Sequence, residues 1–236
     1  MKIGGLQKLT LIDFPGKVAC TVFVSGCNFR CPFCYSPELV LPEQIKNNPG
    51  ISEKDFFDFL KKRQSLLEGI TICGGEPSCD KKLPGFIKKI KKMGPPAGGF
   101  AVKLDTNGSN PEMLEKLIDK KLIDYVAMDI KGPKEKYGQI AGAKIDIEKI
   151  QKSINILKEG KVDYEFRSTI VPSLHMREDI IEMAKWIKGA RRYYLQAFLP
   201  EKNINPEFEK IKPYPRDFLL EIQKAISPFF GICQIR

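Results

Sequence analysis

Apolar positions along the chain fall into two rhythms that alternate from Val18 to Phe198. Short β-rich runs occupy Val18–Ser25, Gly69–Cys73, Phe100–Asp105, Tyr125–Ile130, Tyr164–Val171 and Tyr193–Phe198. Between them lie segments of helical character: Ser52–Gln64, Lys82–Lys92, Pro111–Lys120, Asp146–Lys158 and Arg177–Lys188. In Asp55-Phe56-Phe57-Asp58-Phe59-Leu60 the apolar residues recur at helical spacing, and Ser52 offers an N-cap. Pro111 suits a first helical turn, with Asn110 before it as a cap. Strands alternating with helices imply a parallel sheet with right-handed crossovers. Six such units, where a closed barrel has eight, predict an α/β fold: an open, partial (βα)6 TIM-like barrel with parallel strands. Pro213–Arg236 is expected to add a helix and a last strand, so residues 1–236 read as one domain with a core at 17–200.

Candidate chemistry begins directly after the first of these strands, in Gly26-Cys27-Asn28-Phe29-Arg30-Cys31-Pro32-Phe33-Cys34-Tyr35. The spacing is C-x3-C-x2-C, with no fourth cysteine in the loop. Fully ligated four-iron clusters fill their corners with four thiolates; three thiolates hold three corners and leave one iron open to a small molecule. Zinc is the bland alternative, but it takes four ligands, commonly Cys pairs and histidines. The one histidine, His175, lies far along the chain and reads as an exposed or capping loop residue. Cys20, Cys73, Cys79 and Cys233 read by default as buried free thiols, with Cys73 beside the next motif.

In barrels of this kind function collects at the C-terminal ends of the strands, and the remaining polar motifs sit there. Gly74-Gly75-Glu76-Pro77 follows the second strand, where two glycines let the backbone approach a ligand closely. Asp105-Thr106-Asn107-Gly108 ends the third strand and Met128-Asp129-Ile130-Lys131-Gly132 the fourth. For Asp105 the competing reading is an Asx-turn. Arg167 lies late in the fifth strand as an inward or rim charge, and Gln196 ends the sixth.

The cysteine spacing, with Phe33 as the aromatic of C-x3-C-x-aromatic-C, resembles the signature of the radical S-adenosylmethionine (SAM) enzymes. The resemblance implies that Cys27, Cys31 and Cys34 carry a [4Fe-4S] cluster whose open iron chelates SAM. It implies reductive cleavage of SAM to methionine and a 5'-deoxyadenosyl radical, with Lys131 over SAM or the substrate backbone. Phe33, Tyr35, Gly74, Gly75, Glu76, Asp105, Asp129, Arg167 and Gln196 become the expected SAM contacts, Glu76 by shaping its turn. A histidine is often found in the family where this chain has Gln196, which leaves any histidine-mediated contact there in doubt. Asp105, Thr106, Met128 and Asp129 resemble the set that surrounds a monovalent cation in the activases of glycyl-radical enzymes, and oxygen donors suit such an ion.

Within that superfamily, Thr10–Lys17, the cysteine loop and Asp124–Lys131 resemble the activating proteins of anaerobic ribonucleoside-triphosphate reductase. The resemblance runs from Gly4 to Gln196. It implies a glycyl-radical enzyme as partner, anaerobic ribonucleotide reductase first, and an electron donor such as flavodoxin or ferredoxin. The rivals are a radical SAM enzyme acting on a small molecule or tRNA, and a non-catalytic iron–sulfur electron carrier.

Composition adjusts this picture little. Of 236 residues 42% are hydrophobic, which fits a globular chain. The net charge of +10 admits an acidic partner. The lysines, however, come in doublets among apolar positions, such as Lys61-Lys62 and Lys91-Lys92, and no aromatic-interleaved basic stripe marks a nucleic-acid surface. Seven cysteines without a paired framework point to a reducing compartment. With no apolar run near the ~20 residues of a membrane span and no signal segment at Met1–Gly5, the expected location is cytoplasmic.

Overall fold

Every expected strand forms, and one more precedes them. In the computed structural model, which describes residues 1–94 and 99–236, the strands are β1 (Ile3–Thr10), β2 (Ala19–Val24), β3 (Gly69–Gly74), β4 (Ala101–Thr106), β5 (Tyr125–Asp129), β6 (Asp163–Ile170), β7 (Arg192–Ala197) and β8 (Ile232–Ile235). They make one sheet in the order β1 to β8. Each pair from β2 to β8 is parallel. Because β1 and β8 do not pair, the barrel is open.

β1 runs antiparallel to β2. The link from Leu11 to Val18 is too short for the crossover that a parallel pair needs. Its glycines and half-exposed course explain why composition did not mark it as a strand. At the other end Arg216–Ile226 is a helix leading into β8, as expected.

The helices Glu53–Lys62, Leu83–Met93, Pro111–Asp119, Ile147–Lys158 and Arg177–Trp186 lie within two residues of their expected bounds. Ser52 Oγ accepts from Asp55 N–H at 3.0 Å and Asn110 Oδ1 from Met113 N–H at 3.2 Å, so both caps are made. The helices bury Phe56, Leu60, Phe86, Ile87, Ile90, Ile150 and Ile154 in the same hydrophobic core as the strand residues Val22, Ile70, Ile72, Leu104, Val126 and Phe166. Each such side chain contributes about 1.5–3 kcal/mol.

Strand alternation sends the neighbouring residues to the opposite face. Thr21, Thr71, Asp105, Asp129 and Arg167 line one central cavity there. At the floor, Glu165 is fully buried and accepts from Tyr125 Oη at 2.8 Å and from Arg236 Nη1 and Nη2 at 2.9 and 3.2 Å. The Arg236 guanidinium in turn lies 3.4 Å over the centre of the Tyr194 ring. Among the described residues no helix is long and apolar enough to cross a membrane.

This floor gives a stability test. Arg236→Met leaves a buried carboxylate with one hydroxyl donor, so urea unfolding is expected to show a loss of about 3 kcal/mol. Adding Glu165→Gln should restore most of it. A double variant as weak as the single one would mean that the charge pair is not what matters there.

Candidate active site

The cysteine loop leaves β2 through Gly26, whose φ of 105° suits glycine. Arg30 Nη1 donates to the Cys27 and Phe29 carbonyls at 2.6 and 2.7 Å, and Arg30 N–H to the Ala141 carbonyl at 2.9 Å. From the other side the segment after β7 clamps the loop. Asn203 Nδ2 donates to the Phe33 carbonyl, Ile204 N–H to Cys34 and Asn205 N–H to Pro32, each at 2.9 Å. Phe29 and Phe33 are buried, and Cys27, Cys31 and Cys34 all face the cavity as free thiols. Burial pushes the Cys27 thiol up to about 12 and Cys31 to about 11, and Lys131 acts on both in the opposite direction. Cys34 is raised by burial as well.

The Gly-Gly pair brings the second loop against the first. Glu76 N–H donates to the Gly26 carbonyl at 2.7 Å. A Cβ on Gly75 would stand 2.0 Å from that same oxygen, so only glycine admits this approach. Glu76 itself is buried, and it accepts from Thr106 Oγ1 at 2.7 Å, Asn107 N–H at 2.6 Å and Ser78 N–H at 3.1 Å. Burial raises its carboxyl and these bonds oppose the rise. Its role in the structure is to tie the ends of β3 and β4 together.

Across β4, β5 and β6 runs a row of paired charges. Lys103 binds Asp105 Oδ1, and Arg167 Nη1 binds Asp105 Oδ2 at 3.0 Å. Arg167 Nε binds Asp129 Oδ1 at 3.1 Å, and Lys131 Nζ binds Asp129 Oδ2 at 2.9 Å. Burial works to raise both carboxyls, but the cations outweigh it; Asp105 is held low by Arg167 and Lys103. Lys131 and Arg167 bring Asp129 down to about 2. Burial opposes the Lys131 charge, yet Asp129 and Cys31 hold its pKa above the ordinary lysine value.

One cavity of about 460 Å³ gathers Cys27, Cys31, Phe33, Cys34, Tyr35, Gly74, Gly75, Glu76, Asp105, Thr106, Asp129, Lys131, Arg167 and Gln196. Met128 is the exception. Alternation along β5 puts it in the hydrophobic core, where its thioether packs on Gly108. Cys73 reaches the cavity wall; Cys20 and Cys233 are buried, while Cys79 is exposed because it lies in the short 3-10 turn after Glu76.

His175 also departs from expectation, being fully buried. Its Nδ1 accepts from Val171 N–H at 3.0 Å, so the proton sits on Nε2, 2.8 Å from the Lys131 carbonyl. It thereby holds the backbone that presents Lys131. Sequence reasoning read this residue as an exposed or capping one and passed over the Asn203 clamp and Lys103. The signal for Lys103 was present: Val102-Lys103-Leu104-Asp105 alternates apolar and charged inside a buried strand.

The model of the Radical SAM superfamily matches residues 21–187. The chain belongs to that superfamily. A protein of Methanocaldococcus jannaschii, named provisionally as a glycyl-radical enzyme activating enzyme, is 36% identical over 99% of this chain and 95% of its own length. Pyruvate formate-lyase-activating enzyme of Listeria monocytogenes is 29% identical over 55% of this chain and 53% of its own. Streptococcus suis SuiB, in a structure bound to SAM, superposes with a TM-score of 0.67 at 14% identity over 89% of this chain, which spans 48% of SuiB. That likeness shows the shared fold.

Radical SAM enzymes use a [4Fe-4S] cluster and SAM, and the residues of this radical SAM chain fit both. Three unpaired thiols on one loop suit a cluster, whose ligands sit on separate irons. The cavity volume falls in the range of cofactor sites.

The charge row has a pH signature. A carboxyl held at about 2 against 3.8 stabilises fully above the higher value and loses that contribution as pH falls toward the lower. Asp129→Asn is therefore expected to unfold more easily than wild type at pH 6, with the gap narrowing by about 1 kcal/mol at pH 3. Urea titrations at the two pH values measure it, and a gap independent of pH would show that Asp129 is not held low.

Proposed function

We propose that Cys27, Cys31 and Cys34 hold the cluster of this radical SAM enzyme, that Asp105, Asp129, Lys131 and Arg167 receive the polar end of SAM, and that the substrate is a glycine of a partner protein. The relative from Methanocaldococcus jannaschii carries the last part, because the likeness runs over 99% of this chain. When bound, the cluster supplies an electron and SAM a 5'-deoxyadenosyl radical that takes a hydrogen atom from carbon. The protein's part is orientation and exclusion of side reactions.

Each residue has a share in that part. Gly74 and Gly75 bring the β3 edge close enough for backbone groups to meet the methionine ammonium. The charge row contains Lys103, Lys131 and Arg167 against Asp105 and Asp129, so one positive charge remains for a carboxylate. Tyr35 and Gln196 stand on the cavity wall, Tyr35 60% exposed, where the adenine and ribose need contacts. The gap between β1 and β8 leaves a side through which a peptide loop of the partner reaches the cavity. Anaerobic ribonucleotide reductase is the partner favoured by Thr10–Lys17 and Asp124–Lys131, with flavodoxin or ferredoxin as the reductant.

Anaerobically reconstituted, reduced protein is expected to give a four-iron EPR signal that changes on adding SAM, and to release 5'-deoxyadenosine. Cys31→Ala should lower that release at least a hundredfold, and Cys79→Ser should leave it near wild type. With partner enzyme deuterated at glycine Cα, deuterium should appear in the 5'-deoxyadenosine; with unlabelled partner a glycyl-radical doublet should form. Turnover that takes hydrogen from tRNA or a small molecule instead would keep the radical SAM chemistry and discard the partner. An EPR signal indifferent to SAM would discard both and leave an electron carrier.

A further inference from the structure

The sequence resemblance implies a monovalent cation among Asp105, Thr106, Met128 and Asp129, and these groups do not fit one. Both oxygens of Asp105 are bound, to Lys103 and Arg167; both oxygens of Asp129 are bound, to Arg167 and Lys131. Thr106 Oγ1 is engaged with Glu76. The protein's own cations already outnumber the carboxylates they meet.

Lys103 decides the matter. Its side chain is 2% exposed and reaches up from within β4 to Asp105 on the same strand. A sodium or potassium ion entering beside Asp105 would displace this ammonium and leave it buried without a counter-charge, which is strongly unfavourable. An ammonium is also a compact point charge, much like the ion it would replace. Next to it in register is Thr71, a buried residue on the cavity wall whose Oγ1 has no hydrogen-bond partner.

We propose that Lys103 is a built-in replacement for the monovalent cation, so that SAM binds here without sodium or potassium. The proposal rests on the reading of the cavity as the SAM site. Removing the ammonium would open a pocket beside Asp105 and the free Thr71 hydroxyl, whose oxygens are the donors that hard cations take. Loss of Lys103 should therefore create a cation requirement that the native chain lacks.

The test compares potassium, sodium and choline chloride at one ionic strength. With reconstituted protein, the SAM dissociation constant, read from the SAM-dependent EPR change, is expected to stay within twofold across the three salts. The melting temperature without SAM should be equally indifferent. Lys103→Met should bind SAM at least tenfold more weakly in choline and recover in part in potassium or sodium, while Lys103→Arg should remain indifferent to the salt. A wild-type protein that binds SAM fivefold more tightly, or melts higher, in potassium or sodium than in choline overturns the proposal. The melting series needs neither SAM nor a variant. It shows whether the native chain takes up such an ion even if the cavity fails to bind SAM and the functional reading falls.

Discussion

Five charged side chains stand in one row inside this barrel, and none of them can be buried alone. Moving a single ion from water into a protein interior costs several kcal/mol, which only a well-placed partner offsets. Lys103, Asp105, Arg167, Asp129 and Lys131 meet that requirement jointly, since Arg167 bonds both carboxylates and each carboxylate bonds a lysine. The row therefore fixes the relative positions of β4, β5 and β6 at the level where the cavity opens. Asp129 lies opposite Arg167 in register, and a slip of one residue would turn either charge into the hydrophobic layer. Placement of the strand ends, and with them of the loops that face the cofactors, follows from this one set of pairings.

What could be read from sequence was what is local in sequence. The cysteine loop declares itself because its three cysteines lie within eight residues, Cys27 to Cys34. Gly74-Gly75 does so because a backbone needing close approach needs glycine, and the strand ends because parallel βα units repeat with clear period. The missed parts depend on distant neighbours. Asn203 lies 170 residues from the Phe33 carbonyl it bonds, and His175 lies 44 from Lys131. No short pattern announces such contacts. β1 was hidden for another reason: an edge strand with glycines and exposed positions lacks the apolar character of its neighbours. Met128 entered the cation set by resemblance to the activases; side chains alternate along β5, so its thioether lies on the face opposite Asp129, in the hydrophobic core.

The same alternation divides the work of the sheet between its two sides. Parallel sheets covered on both faces usually read as continuous apolar runs. Here β4 carries Lys103 and Asp105 around the buried Leu104, and β6 carries Glu165 and Arg167 around the buried Phe166. Buried ion pairs add little net stability compared with apolar packing of similar volume. The stabilising layer must then be the outer one, where Phe56 stacks on Phe86 with ring centres 5.4 Å apart and the helices cover Ile70, Ile72, Leu104 and Val126.

That division explains why the barrel can stay open. A closed barrel of this size fills its interior with layers of branched apolar side chains, and removing two units would expose them to water. An interior of thiols, carboxylates, ammonium groups and hydroxyls tolerates water at its open side. It can also receive a zwitterionic ligand whose charges need partners. Tyr125 and Arg236 bond Glu165 at the floor, and the sheet has a gap on the side between β1 and β8. On that side Gln7, Asp13 and Thr21 already face the cavity, with the Thr21 hydroxyl donating to Asp13 Oδ2 at 2.7 Å. An unpaired strand edge is a liability that proteins usually cover. Here Ile51 N–H and Asn48 Nδ2 cover the start of β1 at the Ile3 and Gly4 carbonyls, and the strand continues to Gln7 at the cavity wall.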